Sequence, residues 1–164
     1  MHTVALVSDT HIPARTSEIP GLFTERMRDA DHVIHAGDFV SREAFDAIED
    51  LASGALTAVE GNMDRGLDLP GVATTTLEGV TFVVTHGTGT PAGYEGRVAR
   101  AVREHADADA VGVAGHSHEA LDTVHDGVRI LNPGSVTGAS PAEAATMMTA
   151  TVADGEVDVT LHER

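Results

Sequence analysis

Five short polar motifs, each placed directly after a short apolar run, constrain the fold of this chain more than any other feature. Short apolar runs of this kind are typical of buried strands, so each motif is expected on a loop that leaves a strand. Open α/β sheets bind their ligands at the ends of strands, and the five loops are therefore expected to meet at one site. The motifs are Asp9-Thr10-His11, Gly37-Asp38, Gly61-Asn62-Met63-Asp64, His86-Gly87 and Gly115-His116-Ser117-His118.

Apolar patterning along the chain predicts the helices and strands that carry these loops. In the first half, helical patterns alternate with strands, and Ser41 is placed to cap the second helix. In the second half hairpins dominate, with two-residue turns at Glu78-Gly79, Asp126-Gly127 and Asp154-Gly155. This order predicts an α/β sandwich of mixed sheets with helices outside, in a single domain over residues 1–164. The predicted helices are 19–29, 42–52 and 94–105, and the predicted strands are 4–7, 33–34, 56–59, 72–77, 80–85, 111–114, 121–125, 128–131, 147–152 and 157–161.

Composition limits the chemistry of any site. The chain has 164 residues and no cysteine, so disulfides and thiolate zinc sites are excluded, and a metal must be held by oxygen and imidazole ligands. The formal net charge is −16, and all ten basic residues are arginine, so no broad basic surface for nucleic acid is expected. An acidic surface without lysine favours a salt-adapted protein, as in halophilic microbes, because concentrated salt screens self-repulsion. An ordinary acidic mesophilic protein is the alternative.

The N-terminal residues predict neither export nor a membrane segment. Residues 1–7 lack the basic region and the cleavage site of a signal peptide, and their pattern is that of a strand. No apolar run approaches the roughly 20 residues that a membrane-spanning helix needs. We therefore expect a cytoplasmic protein without a membrane partner, and the sequence leaves open whether it forms a homo-oligomer.

The residue types in the five motifs are those of a dinuclear hydrolytic metal site. Such a site needs a bridging carboxylate, neutral imidazoles and open positions for water and substrate. Asp9 and His11 can reach one ion if the chain turns there, and Asp38 follows a glycine, which allows a sharp turn and suits a bridge. Taken singly, Asp9 and Asn62 are also typical turn residues, and a lone histidine is usually hydrogen-bonded or solvated. The ordered set favours metal ligation by Asp9, His11, Asp38, Asn62, His86, His116 and His118.

These motifs resemble those of the calcineurin-like metallophosphoesterase superfamily. The resemblance is strongest to its small prokaryotic phosphodiesterase branch, which is related to the retromer scaffold subunit of eukaryotes. It extends from Val4 to about Ser135 and includes Asn132-Pro133-Gly134-Ser135. It implies a four-layer αββα sandwich of two mixed sheets flanked by helices. It also implies two divalent metal ions, one held by Asp9, His11, Asp38 and His118, and the other by Asp38, Asn62, His86 and His116.

Two positions depart from the pattern of that superfamily. Many members carry a histidine after Gly-Asn, where it acts as a general acid or holds the phosphate, whereas this chain has Met63. Methionine has no proton to donate at neutral pH, so that role is vacant or filled elsewhere. The small branch commonly has cysteine there and aspartate next, so Met63 and Asp64 fit the branch. The branch also often has a second histidine after His-Gly, and this chain has Thr88 there.

The resemblance implies a metal-dependent phosphoesterase that acts on a small phosphate ester, with a phosphodiesterase favoured over a monoesterase. In the expected mechanism, a metal-bound hydroxide attacks phosphorus in line. Manganese is the expected metal, while iron, zinc, cobalt and nickel also suit mixed oxygen and imidazole ligands. The alternative is a non-catalytic metal-binding scaffold or protein-interaction module on the same fold.

Three further residues are candidates for roles around the metals or the substrate. Asp64 is expected either to orient His116 or His118 or to form a simple turn. Arg65 is a candidate substrate contact, with a plain surface arginine as the alternative. His35 is a candidate hydrogen-bond donor to the ligands, with a core hydrogen bond as the alternative. The predicted catalytic residues are Asn62, Asp38 and His116.

Overall fold

The computed structural model describes residues 1–16, 18–107 and 109–164, and within these ranges it contains ten strands and three helices. Numbered in chain order, the first elements alternate between strand and helix, and the later ones are mainly hairpin strands. They are β1 (His2–Val7), α1 (Gly21–Asp29), β2 (His32–His35), α2 (Arg42–Leu51), β3 (Leu56–Ala58), β4 (Val72–Leu77), β5 (Val80–Thr85), α3 (Tyr94–His105), β6 (Val111–Val113), β7 (Leu121–His125), β8 (Val128–Asn132), β9 (Thr146–Ala153) and β10 (Glu156–Glu163).

The strands form two mixed sheets of five strands each. The first sheet has the order β10-β9-β1-β2-β3, and the second has the order β4-β5-β6-β8-β7. In the first sheet β1, β2 and β3 are parallel neighbours, with Leu6 opposite Ile34. In the second sheet β5, β6 and β8 are parallel neighbours, with Val84 opposite Val113. The carboxyl ends of parallel neighbours meet at one edge of a sheet, so the motif loops leave each sheet together.

Apolar side chains fill three layers of core and fix the order of the sheets and helices. Leu6 and Phe82, both fully buried, belong to the cluster that packs between the two sheets. Phe23 of α1 and Ile48 of α2 cover the outer face of the first sheet, and Val102 of α3 covers the second. The arrangement confirms the predicted αββα sandwich of two mixed sheets with flanking helices.

Local sequence explains where the helices begin. Ser41 caps α2, because its Oγ accepts a hydrogen bond from the Ala44 N–H at 3.1 Å. Pro20 keeps an extended backbone (φ −50°, ψ 136°), so α1 begins at Gly21 instead of the predicted residue 19. The predicted bounds of α3 and of the hairpin formed by β4 and β5 are confirmed. Among the described residues, no helix combines the length and the apolar character required to cross a bilayer.

Candidate metal centre

The loops after β1, β2 and β6 adopt unusual backbone conformations at the predicted ligands. Five of these ligands have φ between +48° and +74°, a left-handed region that residues with side chains seldom occupy. Such conformations cluster at functional sites, where neighbouring structure holds them. Two of the backbone hydrogen bonds that hold them run from Asp9 N to Gly37 O (2.9 Å) and from His11 N to Asp38 O (3.1 Å). The five ligands are Asp9, His11, Asp38, His116 and His118.

The carboxylates of Asp9 and Asp38 are both buried. In each, one oxygen accepts hydrogen bonds from neighbouring protein groups and the other faces histidine nitrogens. Asp9 Oδ2 accepts hydrogen bonds from Ser8 Oγ (2.8 Å) and from the His116 backbone N–H (3.0 Å). Asp9 Oδ1 has no hydrogen-bond partner among the described residues, and neither ring nitrogen of His11 has one. Buried polar atoms without partners are costly, about 1–3 kcal/mol each. These atoms therefore point to a ligand at this position.

The Asp38 carboxylate lies between a ring nitrogen of His11 and a ring nitrogen of His86. Its Oδ1 accepts a hydrogen bond from the Met63 backbone N–H at 2.8 Å. Its Oδ2 is 3.4 Å from His11 Nε2 on one side and 3.1 Å from His86 Nε2 on the other. A carboxylate oxygen that faces both groups is suited to bridge two cations.

Backbone carbonyls fix which nitrogen of His86 and of His118 is free to bind a ligand. His86 Nδ1 is 2.7 Å from Ala36 O, and His118 Nδ1 is 2.8 Å from Ala139 O. A carbonyl oxygen only accepts, so each Nδ1 carries the proton and each neutral ring keeps a lone pair on Nε2. His118 Nε2 lies 3.4 Å from Asp9 Oδ1. Histidines that ligate metals commonly donate their other N–H to a carbonyl in this way.

His116 presents the opposite nitrogen. Its Nε2 is 3.0 Å from Gly89 O, and the tautomer that donates its proton to this carbonyl has a lone pair on Nδ1. That Nδ1 is 3.2 Å from Asn62 Oδ1 and 3.3 Å from His86 Nε2. In this tautomer the lone pairs of His116 Nδ1 and His86 Nε2 face each other, with Asn62 Oδ1 beside them. These three atoms could hold a cation, which would remove the repulsion.

The donor set therefore fits two cations that prefer oxygen and imidazole ligands. Two groups have ligand atoms that lie within 4.8 Å of one another. The first group is Asp9, His11 and His118, and the second is Asp9, Asp38 and His86. His116 adjoins the second group through its short distance to His86, and Asn62 in turn lies close to His116.

The charge of the site favours cations. Burial acts to raise the pKa of Asp9, but its contacts with His11 and His118 outweigh burial and hold the pKa far below its ordinary value. Burial also opposes the shift at Asp38, whose pKa is lowered mainly by His86. Burial acts to lower the pKa of His86, and the Asp38 carboxylate reverses this effect and raises it. Both carboxylates are therefore ionised at neutral pH.

In the described part of the chain, the Asp64 carboxylate contacts backbone amides and makes no hydrogen bond to His116 or His118. Its carboxylate, fully buried, accepts backbone hydrogen bonds from Asp38 N (2.7 Å), Val40 N (2.8 Å) and Gly61 N (2.9 Å). It thus joins the loop after β2 to the loop after β3. The hydrogen bonds of a motif turn, which the sequence left as the alternative, describe it better than a contact with a histidine.

His35 and Arg65 do not reach the predicted ligands through side-chain hydrogen bonds among the described residues. His35 is fully buried, and this burial lowers its pKa to about 3. Its Nδ1 accepts from the Gly37 N–H at 3.0 Å, so its Nε2 carries the proton and donates to Thr10 Oγ1 at 2.8 Å. His35 therefore braces two motif loops as a core residue. Arg65 is exposed beside the loop that carries Asn62.

The sequence did not predict a side-chain role for Asn132 and Ser135. Asn132 Nδ2 lies within hydrogen-bond distance of Gly115 O (3.1 Å) and Ser117 Oγ (2.9 Å), so it supports the loop between β6 and β7. Ser135 Oγ donates to Asp9 O at 2.7 Å. The only signal was their place in an Asn-Pro-Gly-Ser segment, which by itself indicates a turn.

Two cavities adjoin the cluster of ligands. One has a volume of about 570 Å³ and is lined by His116, Glu95, Glu119 and His125, among others. The other has a volume of about 750 Å³ and is lined by His118, Glu119, Glu143 and Glu163, among others. Ser117 and Glu119 border both cavities. The cluster of candidate ligands is therefore accessible from two sides of the segment that carries His116 and His118.

Comparisons with known proteins agree with this geometry. The family described as the calcineurin-like phosphoesterase superfamily domain matches residues 2–155. A probable metallophosphoesterase of Methanothermobacter thermautotrophicus is 34% identical over 136 residues, which cover 82% of this chain and 77% of that protein. A Thermotoga maritima protein, whose structure was determined by NMR in solution, is 30% identical with a TM-score of 0.76 over 100% of each chain.

Vps29 from Entamoeba histolytica has the same fold. A single mutant of that protein gives a TM-score of 0.80 at 24% identity, over 99% of each chain. The wild-type protein in complex with Zn²⁺ gives a TM-score of 0.76 at 22% identity, over 98% of each chain. The family match over nearly the whole chain and the identity to a probable metallophosphoesterase lead to one conclusion. This chain belongs to the calcineurin-like phosphoesterase superfamily.

Proposed function

We propose that this chain is a dinuclear metal-dependent phosphodiesterase. One observation carries the proposal: Asp9 Oδ1 and both ring nitrogens of His11 are buried, and none has a hydrogen-bond partner in the described part of the chain. Beside them, Asp38 Oδ2 faces a ring nitrogen of His11 and a ring nitrogen of His86. Family membership supplies the reaction class, and the geometry supports the number of ions. The step from phosphoesterase to phosphodiesterase is part of the proposal.

The proposal takes the two ligand sets that the family resemblance implies, which share Asp38; the position of Asp38 Oδ2 near both His11 Nε2 and His86 Nε2 supports them. Manganese is the metal that we propose, and zinc, iron, cobalt and nickel suit the same donors. The Entamoeba Vps29 complex with Zn²⁺ supports zinc as a competent alternative. When bound, two such ions lower the pKa of water and neutralise charge on a phosphoryl group. One set is Asp9, His11, Asp38 and His118, and the other is Asp38, Asn62, His86 and His116.

In this proposal the protein side chains mainly hold the metals in place, and they contribute little to proton transfer. Asp38 aligns the two sets, and Asn62 adds a neutral oxygen at the exposed rim of the site. The next residue, Met63, is 44% exposed and has no proton to give to a leaving group. Substrates with acidic leaving groups are therefore expected to react fastest.

The charge around the two cavities supports a diester as substrate. Among the described residues that line them, Glu95, Glu119, Glu143 and Glu163 are acidic, and none is arginine. A phosphomonoester is largely a dianion at neutral pH, whereas a diester is a monoanion. Negative charge at the rim repels the dianion more strongly, because the Coulomb energy grows with the product of the charges.

Hydrolysis of an activated phosphodiester tests the proposal. Bis(p-nitrophenyl) phosphate is incubated with the protein and Mn²⁺ at high salt, in parallel with p-nitrophenyl phosphate. We expect metal-dependent turnover, with the diester preferred. Asp38→Asn is expected to lose activity and metal binding together, whereas Asp46→Asn, the same change at an exposed site of α2, is expected to retain both. A folded protein that turns over neither ester with any divalent metal overturns the proposal.

The alternative of a scaffold or interaction module has less support. Such a module presents a contiguous apolar patch for its partner. Five large apolar side chains are exposed in the described part of the chain, and they come from segments that are far apart in the sequence. They are Met1, Leu22, Met63, Val124 and Leu161. The turnover assay decides between the two functions.

A further inference from the structure

The loop between β5 and α3 places a backbone carbonyl beside one ring nitrogen of His116, which bears on which nitrogen can bind a metal. Residues 87–92 of this loop contain no helix or strand, and Gly89 O lies 3.0 Å from His116 Nε2. A hydrogen bond to this carbonyl favours the tautomer with the proton on Nε2 and the lone pair on Nδ1. His116 Nδ1 is the atom that lies close to Asn62 Oδ1 and His86 Nε2. The loop therefore contacts the second proposed ligand set through His116.

Arg97, in the first turn of α3, holds this loop through three backbone carbonyls. Its Nη2 donates to Thr90 O (2.7 Å) and to Gly87 O (3.2 Å), and its Nη1 donates to Ala92 O (3.1 Å). Its guanidinium also packs directly against Gly89. A Cβ added at Gly89 would lie 2.7 Å from Arg97 Cζ, and the glycine has a φ of +140°. The loop is thus shaped around a single side chain.

We infer that Arg97 is a positioning residue for the second ion. It fixes the loop so that Gly89 O accepts the Nε2 proton of His116, and His116 then presents Nδ1 beside Asn62 and His86. The inference rests on the proposed dinuclear site but not on its activity. Groups that orient metal ligands in this way typically contribute 10–100-fold to metal affinity. Among the described residues, Arg97 makes no hydrogen bond to a residue of the first ligand set, so the effect is expected to be selective for the second ion.

The test compares the binding of two equivalents of Zn²⁺ by calorimetry in Arg97→Met and in Arg100→Met. Arg100 is an exposed arginine one turn further along α3 and serves as the matched control. In Arg97→Met we expect the second equivalent to bind at least about tenfold more weakly, and the first to bind as in the unchanged protein. Nitrogen-15 NMR of the imidazoles should show His116 losing its single Nε2–H tautomer. Arg100→Met should change neither property.

Gly89→Ala disturbs the contact between Arg97 and the loop through a change in the loop itself. It provides the test of the inference if Arg97→Met does not fold. Its Cβ displaces the Arg97 guanidinium, so the same selective loss of the second equivalent is expected. Gly71→Ala is the control, because no atom lies within 4 Å of a Cβ there. Equal weakening of both equivalents, no weakening, or an unchanged His116 tautomer overturns the inference. An unchanged protein that binds two ions but hydrolyses no ester overturns the proposed function alone.

Discussion

The candidate site depends on which atoms of each residue the protein already uses. His86 and His118 give their Nδ1 protons to backbone carbonyls, and Asp9 and Asp38 each keep one oxygen on a backbone N–H. The unused atoms are therefore the ones that face each other across the site. Asp64 holds the motif loops through hydrogen bonds to backbone N–H groups. A substitution there is expected to disturb these hydrogen bonds and, through them, metal binding.

Asp64→Asn is expected to weaken both the fold and metal binding. The Asp64 carboxylate accepts three backbone N–H groups, whereas an amide has one oxygen and turns an NH2 group toward a donor. Hydrogen bonds to a charged acceptor contribute about 1.5–3 kcal/mol each, so a loss of about 2–3 kcal/mol in unfolding free energy is expected. Urea unfolding measures the stability and calorimetry measures the metal affinity. Asp46→Asn is the control, and equal stability of the two variants would contradict the prediction.

His35 makes the stability of the protein depend on pH in a defined direction. Burial lowers the pKa of folded His35 to about 3, whereas an unfolded histidine has a pKa near 6.5. Below about pH 6.5 the unfolded chain therefore takes up a proton that the folded protein does not. This difference destabilises the folded state by up to about 1.4 kcal/mol per pH unit as the pH falls toward 3.

His35→Asn removes this titration and retains an acceptor for the Gly37 N–H. Unfolding free energies between pH 6.5 and 4.5 should therefore fall less steeply in His35→Asn than in the unchanged protein. Its absolute stability near pH 7 is expected to be lower, because the bond to Thr10 is lost. Parallel pH profiles for the two proteins would show that folded His35 titrates as in water.

At the scale of elements, close approach between β1 and the loop after β6 builds the site. The Gly115 Cα position faces Ser8, and a Cβ there would overlap Ser8 Oγ and lie 2.7 Å from Asp9 Oδ2. Only a glycine allows the end of β6 to approach the end of β1 so closely. The two strands belong to different sheets, so this contact joins the two halves of the site.

Gly115→Ala is expected to displace Asp9 and to weaken the ligand set that contains it. Overpacking of this kind typically costs about 1–3 kcal/mol in stability. Zinc titration should show weaker binding of the equivalent that involves Asp9, His11 and His118. Gly71→Ala, where the added Cβ meets open space, should bind both equivalents normally. Normal zinc binding by Gly115→Ala would show that the contact between the two strand ends is not needed.

Sequence patterns predicted the elements well where the determinants are local. The turn at Glu78-Gly79 and the apolar face of α3 specify their elements within a few residues. The pairing of β9 with β1, far apart in the chain, has no local signal and emerges only from packing. The role of Arg97 could not be predicted from the sequence for the same reason, because its partners are backbone carbonyls and no side-chain motif marks them. The ordered motifs, by contrast, indicated residues that the fold brings together.

The whole molecule combines a cluster of candidate metal ligands with a strongly acidic composition. The formal net charge is −16, with 26 acidic residues against ten arginines. Like charges also lie close together on α2, where four exposed acidic residues follow one another at helical spacing. They are Glu43, Asp46, Glu49 and Asp50. Self-repulsion of this kind lowers the stability of the folded state and weakens as salt screens it.

We therefore expect the unfolding free energy to rise between about 0.1 M and 1 M KCl, where the Debye length falls from about 10 Å to 3 Å. A variant with Glu43→Gln, Asp46→Asn, Glu49→Gln and Asp50→Asn removes three like-charged pairs at i,i+3 or i,i+4 spacing. At low salt it should be about 1 kcal/mol more stable than the unchanged protein. At 1 M KCl the difference should shrink, because screening already suppresses the repulsion. Chemical unfolding in urea measures both. An equal dependence on salt in the two proteins would instead assign the effect to stronger burial of apolar surface in concentrated salt.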